Sequence, residues 1–449
     1  MPGPVTHVIG AGLAGLAAAV RLQEAGQTVA IHEASRQAGG RCRSFFDARL
    51  GMMIDNGNHI ILSGNHAALS YLDLIGGRAH MSMPESAVFP FFDLGTSERW
   101  TLRPNEGRLP WWVVKADRRV PGTQASDYFG AAPLSWAGPE KTISEVMKCS
   151  GPIYERLWRP LLLAALNTEP AEASARLAGA TMRETLAAGG RACRPLIAAE
   201  GLSRAFVDPA LRYLEARGAA IRFGRRLRAL GFEKQRVTAL DFGDATARLG
   251  PEDSVILAVP APVAAALVPR LKAPSEFRAI VNAHYRVAPP PGLAPMIGVV
   301  GGTVEWIFAF RDRLSVTVSG ADRLLEVPRE TLARDLWREV SRTTGLADIL
   351  PPWQIIQEKR ATFAALPSED AKRPRATDTA WNNLVLAGDW TATGLPATIE
   401  GSIRSGDRAA QVVSQRQYGH SRDHDRNPRR REAFHTAANR SRAKPRRAH

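Results

Sequence analysis

Six residues near the start of the chain, Gly10-Ala11-Gly12-Leu13-Ala14-Gly15, have the types and spacing to cradle a phosphate. Gly10 permits a tight turn, Gly12 removes a side chain where a backbone must approach a pyrophosphate, and Gly15 allows close helix packing. The helix that follows offers free N–H groups, those of Leu13, Ala14 and Gly15 among them, at the positive end of its dipole. Glu33 stands eighteen residues past Gly15 and can accept hydrogen bonds from ribose hydroxyls.

These groups function only if local structure holds them. Residues 5–9 read as a buried strand, 16–25 as an Ala- and Leu-rich helix ended by Gly26, and 28–32 as a second strand delivering Glu33. A lone glycine motif is weak evidence. Strand, turn, helix, strand and terminal acid in that order make a dinucleotide site, without separating FAD from NAD.

A second glycine turn follows at once, Gly39-Gly40-Arg41, with a cation that can face phosphate. Far downstream, residues 384–387 form a buried strand leading to Gly388-Asp389-Trp390, and a helix runs through Ala410. The Gly-Gly-Arg-x-x-Ser pattern of 39–44 resembles that of the FAD-dependent amine oxidase and phytoene desaturase superfamily. The resemblance implies FAD as cofactor and Arg41 at its pyrophosphate. It implies Gly388 and Asp389 at the diphosphate and ribitol, and Leu227 against the adenine. Thr398 and Ile399 then start a helix aimed at the flavin ring, where its dipole favours negative charge on a reduced flavin. Residues 221, 223, 227 and 230 alternate as apolar positions and read as strands, and 255–260 as another buried strand.

The implied fold class is α/β: a Rossmann-type FAD-binding domain with an inserted α+β substrate domain. The FAD domain is discontinuous, built from 1–82, 200–272 and 375–418. Residues 83–199 and 273–374 form the substrate domain, with a hairpin at 304–319 and a proline-rich loop at 288–295.

A narrower resemblance covers most of the chain up to Tyr418. Asp55-Asn56-Gly57-Asn58-His59, Leu109-Pro110-Trp111-Trp112 and above all the stretch from Leu157 to Thr168 are similar to the hydroxysqualene dehydroxylase family, also described as squalene-associated FAD-dependent desaturases. That resemblance implies a lipophilic isoprenoid substrate, a place in squalene and hopanoid synthesis, and association with enzymes of that route. The reaction would be reductive loss of an allylic hydroxyl. Desaturation of a squalene- or carotenoid-type isoprenoid is the alternative, since it uses the same fold and cofactor. His59 is the candidate proton donor, being close in sequence to the cofactor loop and the side chain best suited to proton exchange near neutrality. It reads equally well as a residue satisfying buried backbone. Trp111, Trp112, Trp158 and Trp306 suit either a tunnel lining or a core.

Composition bounds the rest. The chain has 449 residues, 45% hydrophobic and 23% charged, with net charge +15. No run is long and apolar enough to span a membrane, and the apolar start reads as folded structure rather than a signal peptide. Three scattered cysteines, 42, 149 and 193, suit a reducing cytoplasm and argue against a disulfide framework or a metal site. From His420 onward ten Arg or Lys face three Asp or Glu, so 419–449 reads as a disordered basic tail. No folded nucleic-acid motif accompanies it, so no nucleic-acid partner is expected. Peripheral membrane contact is the remaining expectation, through the tail, Phe89-Pro90-Phe91-Phe92, or residues 109–114 with Lys115, Arg118 and Arg119.

Overall fold

Val5–Ile9 lies at the centre of a five-stranded parallel sheet in the order Ala220–Arg222, Thr28–His32, Val5–Ile9, Ser254–Leu257, Leu384–Leu386. The structure, a computed structural model, describes residues 3–425. Helices cover the sheet, which is why Ser254–Leu257 is buried at every position and reads as an unbroken apolar run. The N-terminal helix Leu13–Glu24 and the C-terminal helix Ile399–Asp425 meet backbone to backbone. A Cβ on Gly406 would lie 2.3 Å from the Ala14 carbonyl oxygen. Arg21 and Asp407 pair across the same contact at 3.0 Å. Segments near both ends of the described residues are thereby fixed to one sheet.

A seven-stranded sheet forms the second layer, in the order Trp353–Phe363, Phe277–Tyr285, Leu314–Val318, Trp306–Ala309, Met296–Val300, Phe89–Asp93, Arg99–Leu102. Side chains alternate between its faces. Val281, Val316, Ile307 and Val299 point to one core, shared with Leu336 and Trp337 of the helix Arg329–Thr344. The other face carries a row set by register: Asn282, Thr317, Trp306, Gly298, Phe91 and Trp100. That row is polar at one end and aromatic at the other. Phe91 covers Gly298 so closely that a Cβ there would lie 2.4 Å from its ring.

The hairpin expected at 304–319 is present as Trp306–Ala309 paired antiparallel with Leu314–Val318. Phe89, Phe91 and Phe92 are buried, which gives that cluster to the core and removes it as a membrane surface. Two other readings need correction. Leu227 lies in a loop between the strands Ala220–Arg222 and Ala229–Glu233, because Gly224 takes φ of 69° and breaks the alternation. The C-terminal helix continues to Asp425, past the boundary expected at 418, since its Ala- and Gln-containing sequence keeps helical propensity. The remainder of the expected tail, 426–449, lies outside the described residues. Among the described residues no helix is long and apolar enough to cross a membrane.

Candidate cofactor site

The glycine turn closes as its residue types require. Gly10 has φ of 103°, and a Cβ on it would lie 2.4 Å from the Ala258 carbonyl oxygen. A Cβ on Gly15 would lie 1.9 Å from the Gly10 carbonyl oxygen. Gly12 differs: nothing lies within 4 Å of the place a side chain would take. It caps the helix Leu13–Glu24, which therefore starts three residues earlier than the sequence suggested, and no side chain satisfies the first N–H groups. Open space beside uncapped N–H groups is what a pyrophosphate needs.

Glu33 closes the turn from the second strand. Its carboxylate accepts from the backbone N–H of Ala11 at 2.7 Å and of Ser35 at 2.8 Å. Gly39 bridges to Gly12 and takes φ of 103°, and Gly40 follows in the left-handed region at 58°. These conformations favour glycine because a Cβ would clash with the backbone.

Arg41 and Asp389 meet across the site. The guanidinium donates to the Asp389 carboxylate at 2.7 Å and to the carbonyl of Ala361. Loops from opposite ends of the chain are thus clasped by one ion pair, its carboxylate buried and its arginine half-exposed. Gly388 has no room for a side chain, since a Cβ would lie 2.3 Å from the Trp390 indole nitrogen. Thr398 accepts from the Gly401 N–H at 3.0 Å and starts the C-terminal helix, with Ile399 buried behind it. Leu227 is buried in the core beside Leu230 and Val237.

His59 lies near enough to Arg41 to feel its charge. Burial first, then Arg41, lowers its pKa to about 4. The residue is part-exposed, and among the described residues its ring has no hydrogen-bond partner. The preceding loop is bolted to the polar end of the sheet row. The Asn58 amide donates to Thr317 Oγ1 at 3.0 Å and to the Val316 carbonyl at 3.2 Å, while Thr317 Oγ1 donates to Asn282 Oδ1 at 2.8 Å. Asp55 accepts from Ser44 Oγ at 2.6 Å and the Leu202 N–H at 2.8 Å, which makes it a structural joint. Cys42 is fully enclosed, and burial pushes its thiol far up, so it is inert.

Three important residues were not evident in the sequence. Arg373 is buried beneath the Asp389 loop, donating to the Thr391 carbonyl at 2.9 Å, Thr393 Oγ1 at 2.8 Å, the Asp389 carbonyl at 3.1 Å and Asp370 Oδ1 at 2.9 Å. Glu400 accepts from the N–H groups of Ala67 and Ala68, capping the helix His66–Ile75 with a carboxylate from the other end of the chain. Asn167 ends the helix Arg159–Leu166 in the left-handed conformation, and its side chain holds Gly320 N at 2.7 Å and Thr362 Oγ1 at 2.9 Å. The stretch from Leu157 to Thr168 therefore latches that helix to the sheet.

The buried imidazoles set an acid limit. Burial holds His32, His59 and His284 at about 3, 4 and 3, against 6.5 ordinarily. An unfolded chain protonates them below pH 6.5 and the folded chain does not, so their contribution is lost as pH falls toward 4. Glu305 opposes one of them: burial raises it to about 7, so between pH 7 and 4.5 the folded chain holds a proton there that the unfolded chain lacks. For these four groups alone the difference is about two protons near pH 5, which amounts to about 3 kcal/mol per pH unit. Thermal melts should show a steep fall in midpoint between pH 6.5 and 5. A flat profile over that range would contradict these buried neutral rings.

The geometry asks for a dinucleotide with an elongated pyrophosphate, and comparison with known proteins identifies the kind. A family described as flavin containing amine oxidoreductase matches residues 13–414. The chain belongs to that family. The protein is accordingly an FAD-dependent oxidoreductase, and the glycine turn, Arg41 and the Gly388 loop are the candidate residues for holding the flavin. Hydroxysqualene dehydroxylase of Rhodopseudomonas palustris is 58% identical over 91% of this chain and 97% of its own length. The enzyme of the same name from Zymomonas mobilis is 46% identical over 91% of this chain and 99% of its own. A probable zeta-carotene desaturase of Synechococcus elongatus is 28% identical over 56% of this chain and 57% of its own. Among solved structures, cyclohexylamine oxidase of Brevibacterium oxydans superposes with TM-score 0.67 at 16% identity, covering 92% of this chain and 99% of that one. Putrescine oxidase bound to putrescine gives 0.66 at 19%, with the same coverage. At such identities these two neighbours establish the shared fold alone.

Proposed function

We propose that the protein replaces the allylic hydroxyl of hydroxysqualene with hydrogen, giving squalene. The observation that carries this is near full-length similarity to hydroxysqualene dehydroxylases at up to 58% identity, on a chain whose glycine turn leaves open space suited to a dinucleotide. The alcohol and reduced FAD become squalene, water and oxidised FAD. The allylic C–O bond breaks, the oxygen leaves as water with one added proton, and a C–H bond forms. Reduced FAD supplies the hydride when bound.

The protein's own part is to hold the cofactor, enclose an apolar chain and manage one proton. The polar end of the sheet row, Asn282 and Thr317, lies next to Asn58 and His59, while its aromatic end, Trp306, Phe91 and Trp100, is packed core. His59 is the candidate donor. Because its pKa is about 4, the imidazolium is scarce at pH 7, and the dehydroxylation rate should rise as pH falls from 7.5 to 6. His59→Gln should slow turnover by roughly 10²-fold or more and flatten that rise. A variant as fast as wild type removes His59 from the role.

Product analysis after anaerobic incubation with pre-reduced flavin tests the reading itself. Squalene supports it. A more unsaturated product formed by oxidised enzyme would instead support the desaturase alternative, which the zeta-carotene desaturase similarity favours. Substrate and product are both lipid-soluble, so they must be exchanged with a bilayer or with the enzyme that makes the alcohol.

A further inference from the structure

We propose that residues 109–136 form a face that docks on an anionic lipid bilayer and admits substrate to the flavin site. The apolar exposure is concentrated here. Leu109 is 82% exposed, Trp111 47%, Val114 62%, Phe129 61% and Trp136 75%. Their neighbours Trp112, Val113, Tyr128 and Leu134 are buried in the same core as Trp306. Trp112 stands edge-on to Tyr128 with ring centroids 5.2 Å apart, which joins the short helix Trp111–Val114 to Ala125–Trp136. Trp112, Val113, Tyr128 and Leu134 thus anchor the segment inward, while Leu109, Trp111, Val114, Phe129 and Trp136 face outward. Such side chains on a stable surface call for an apolar environment.

Charge selects the occupant. Residues 103–136 carry Arg103, Arg108, Lys115, Arg118 and Arg119, against Glu106, Asp117 and Asp127. Glu106 is paired with Arg191 and Arg194, so it does not offset the others. Arg118 lies over the Trp111 ring at 4.8 Å, and Arg119 donates to the Val113 carbonyl at 2.9 Å. Aromatic and aliphatic side chains with cations among them fit the headgroup boundary of an anionic membrane.

Backbone packing joins the loop before Leu109 to the strand that follows His59. Asn105 ties its loop by donating to the Gly107 and Leu109 carbonyls, and that loop stacks on Gly189 and Gly190, where a Cβ would meet it at 2.5 and 2.8 Å. The chain continues from there into Pro195–Ala198, which pairs with Ile60–Leu62 immediately after His59. The role as an entry face rests on the proposed isoprenoid substrate. The bilayer contact rests on exposure and charge alone.

Co-sedimentation of the full-length protein with phosphatidylglycerol-containing vesicles and with pure phosphatidylcholine vesicles tests the docking. Wild type should bind the anionic vesicles more than tenfold better. The combination Leu109→Ser, Trp111→Ser and Phe129→Ser should weaken that binding at least tenfold while leaving flavin content and melting temperature unchanged. Equal binding by wild type and variant would assign attraction to other basic segments and overturn the face. Wild type that stays in the supernatant with every vesicle would overturn it too, leaving a protein partner as the occupant. Because the readout is sedimentation, a failure of the dehydroxylation reading leaves this result intact, and the converse holds.

Discussion

Replacing Gly12 with valine should give a folded protein that takes up no flavin. Gly12 has φ of −72° and ψ of 175°, a conformation any residue adopts, and a side chain there meets open space. Stability should therefore fall by only about 1 kcal/mol, the usual cost of an unsuitable helix cap. The isopropyl group would nevertheless fill the approach to the uncapped N–H groups of the N-terminal helix. Loss of two charge-assisted hydrogen bonds, each about 1.5–3 kcal/mol, weakens FAD binding by over a hundredfold. Fluorescence titration with FAD alongside thermal melts separates the two effects. Gly15→Val is the contrasting control: its Cβ would lie 1.9 Å from the Gly10 carbonyl oxygen, so it should fail to fold. A Gly12→Val protein purified with a full complement of flavin would show that the pyrophosphate sits elsewhere.

Arg373→Met should lower stability by about 3–5 kcal/mol, the size expected when one member of a buried charge network is removed. Methionine keeps much of the length and supplies no donor. The carbonyls of Asp389 and Thr391 would lose their partner, and Asp370 would retain Arg176 as its remaining cation partner. The guanidinium also faces the Phe363 ring at 4.7 Å. Since this residue underlies the loop bearing Asp389, flavin content should fall with stability. Arg373→Lys should recover only part of both, because an ammonium cannot span the same set of acceptors. Urea unfolding with flavin absorbance read on the same samples checks this. Unchanged flavin content in a destabilised Arg373→Met protein would detach the residue from the cofactor loop.

The parts of the site that were legible in sequence are the local ones. Gly10, Gly12 and Gly15 carry their geometry within six residues, and Gly39 and Gly388 sit where a side chain has no room. What escaped depends on distant pairing. Arg373 stands in Glu369-Asp370-Ala371-Lys372-Arg373, which reads as a solvated charge run, and only the fold buries it. The Asn58, Asn282 and Thr317 contact joins segments more than two hundred residues apart, through a strand register that no periodicity discloses. Trp111 and Trp112 are adjacent and alike, yet one is half-exposed and the other buried, because a single 3-10 turn points them apart. Leu227 had the right burial and the wrong element, since apolar spacing reports which side is inward without showing that a loop interrupts the strand.

The most direct measurement is a single turnover of the flavin-loaded protein, reduced, anaerobic and mixed with hydroxysqualene in detergent micelles. The bound flavin should oxidise as substrate is consumed, with one squalene formed per flavin and, in D2O, one deuterium delivered to carbon, since the transferable flavin hydrogen exchanges with solvent. Flavin that stays reduced with the alcohol present, or oxidised protein that instead takes a hydride from squalene, would contradict the dehydroxylation.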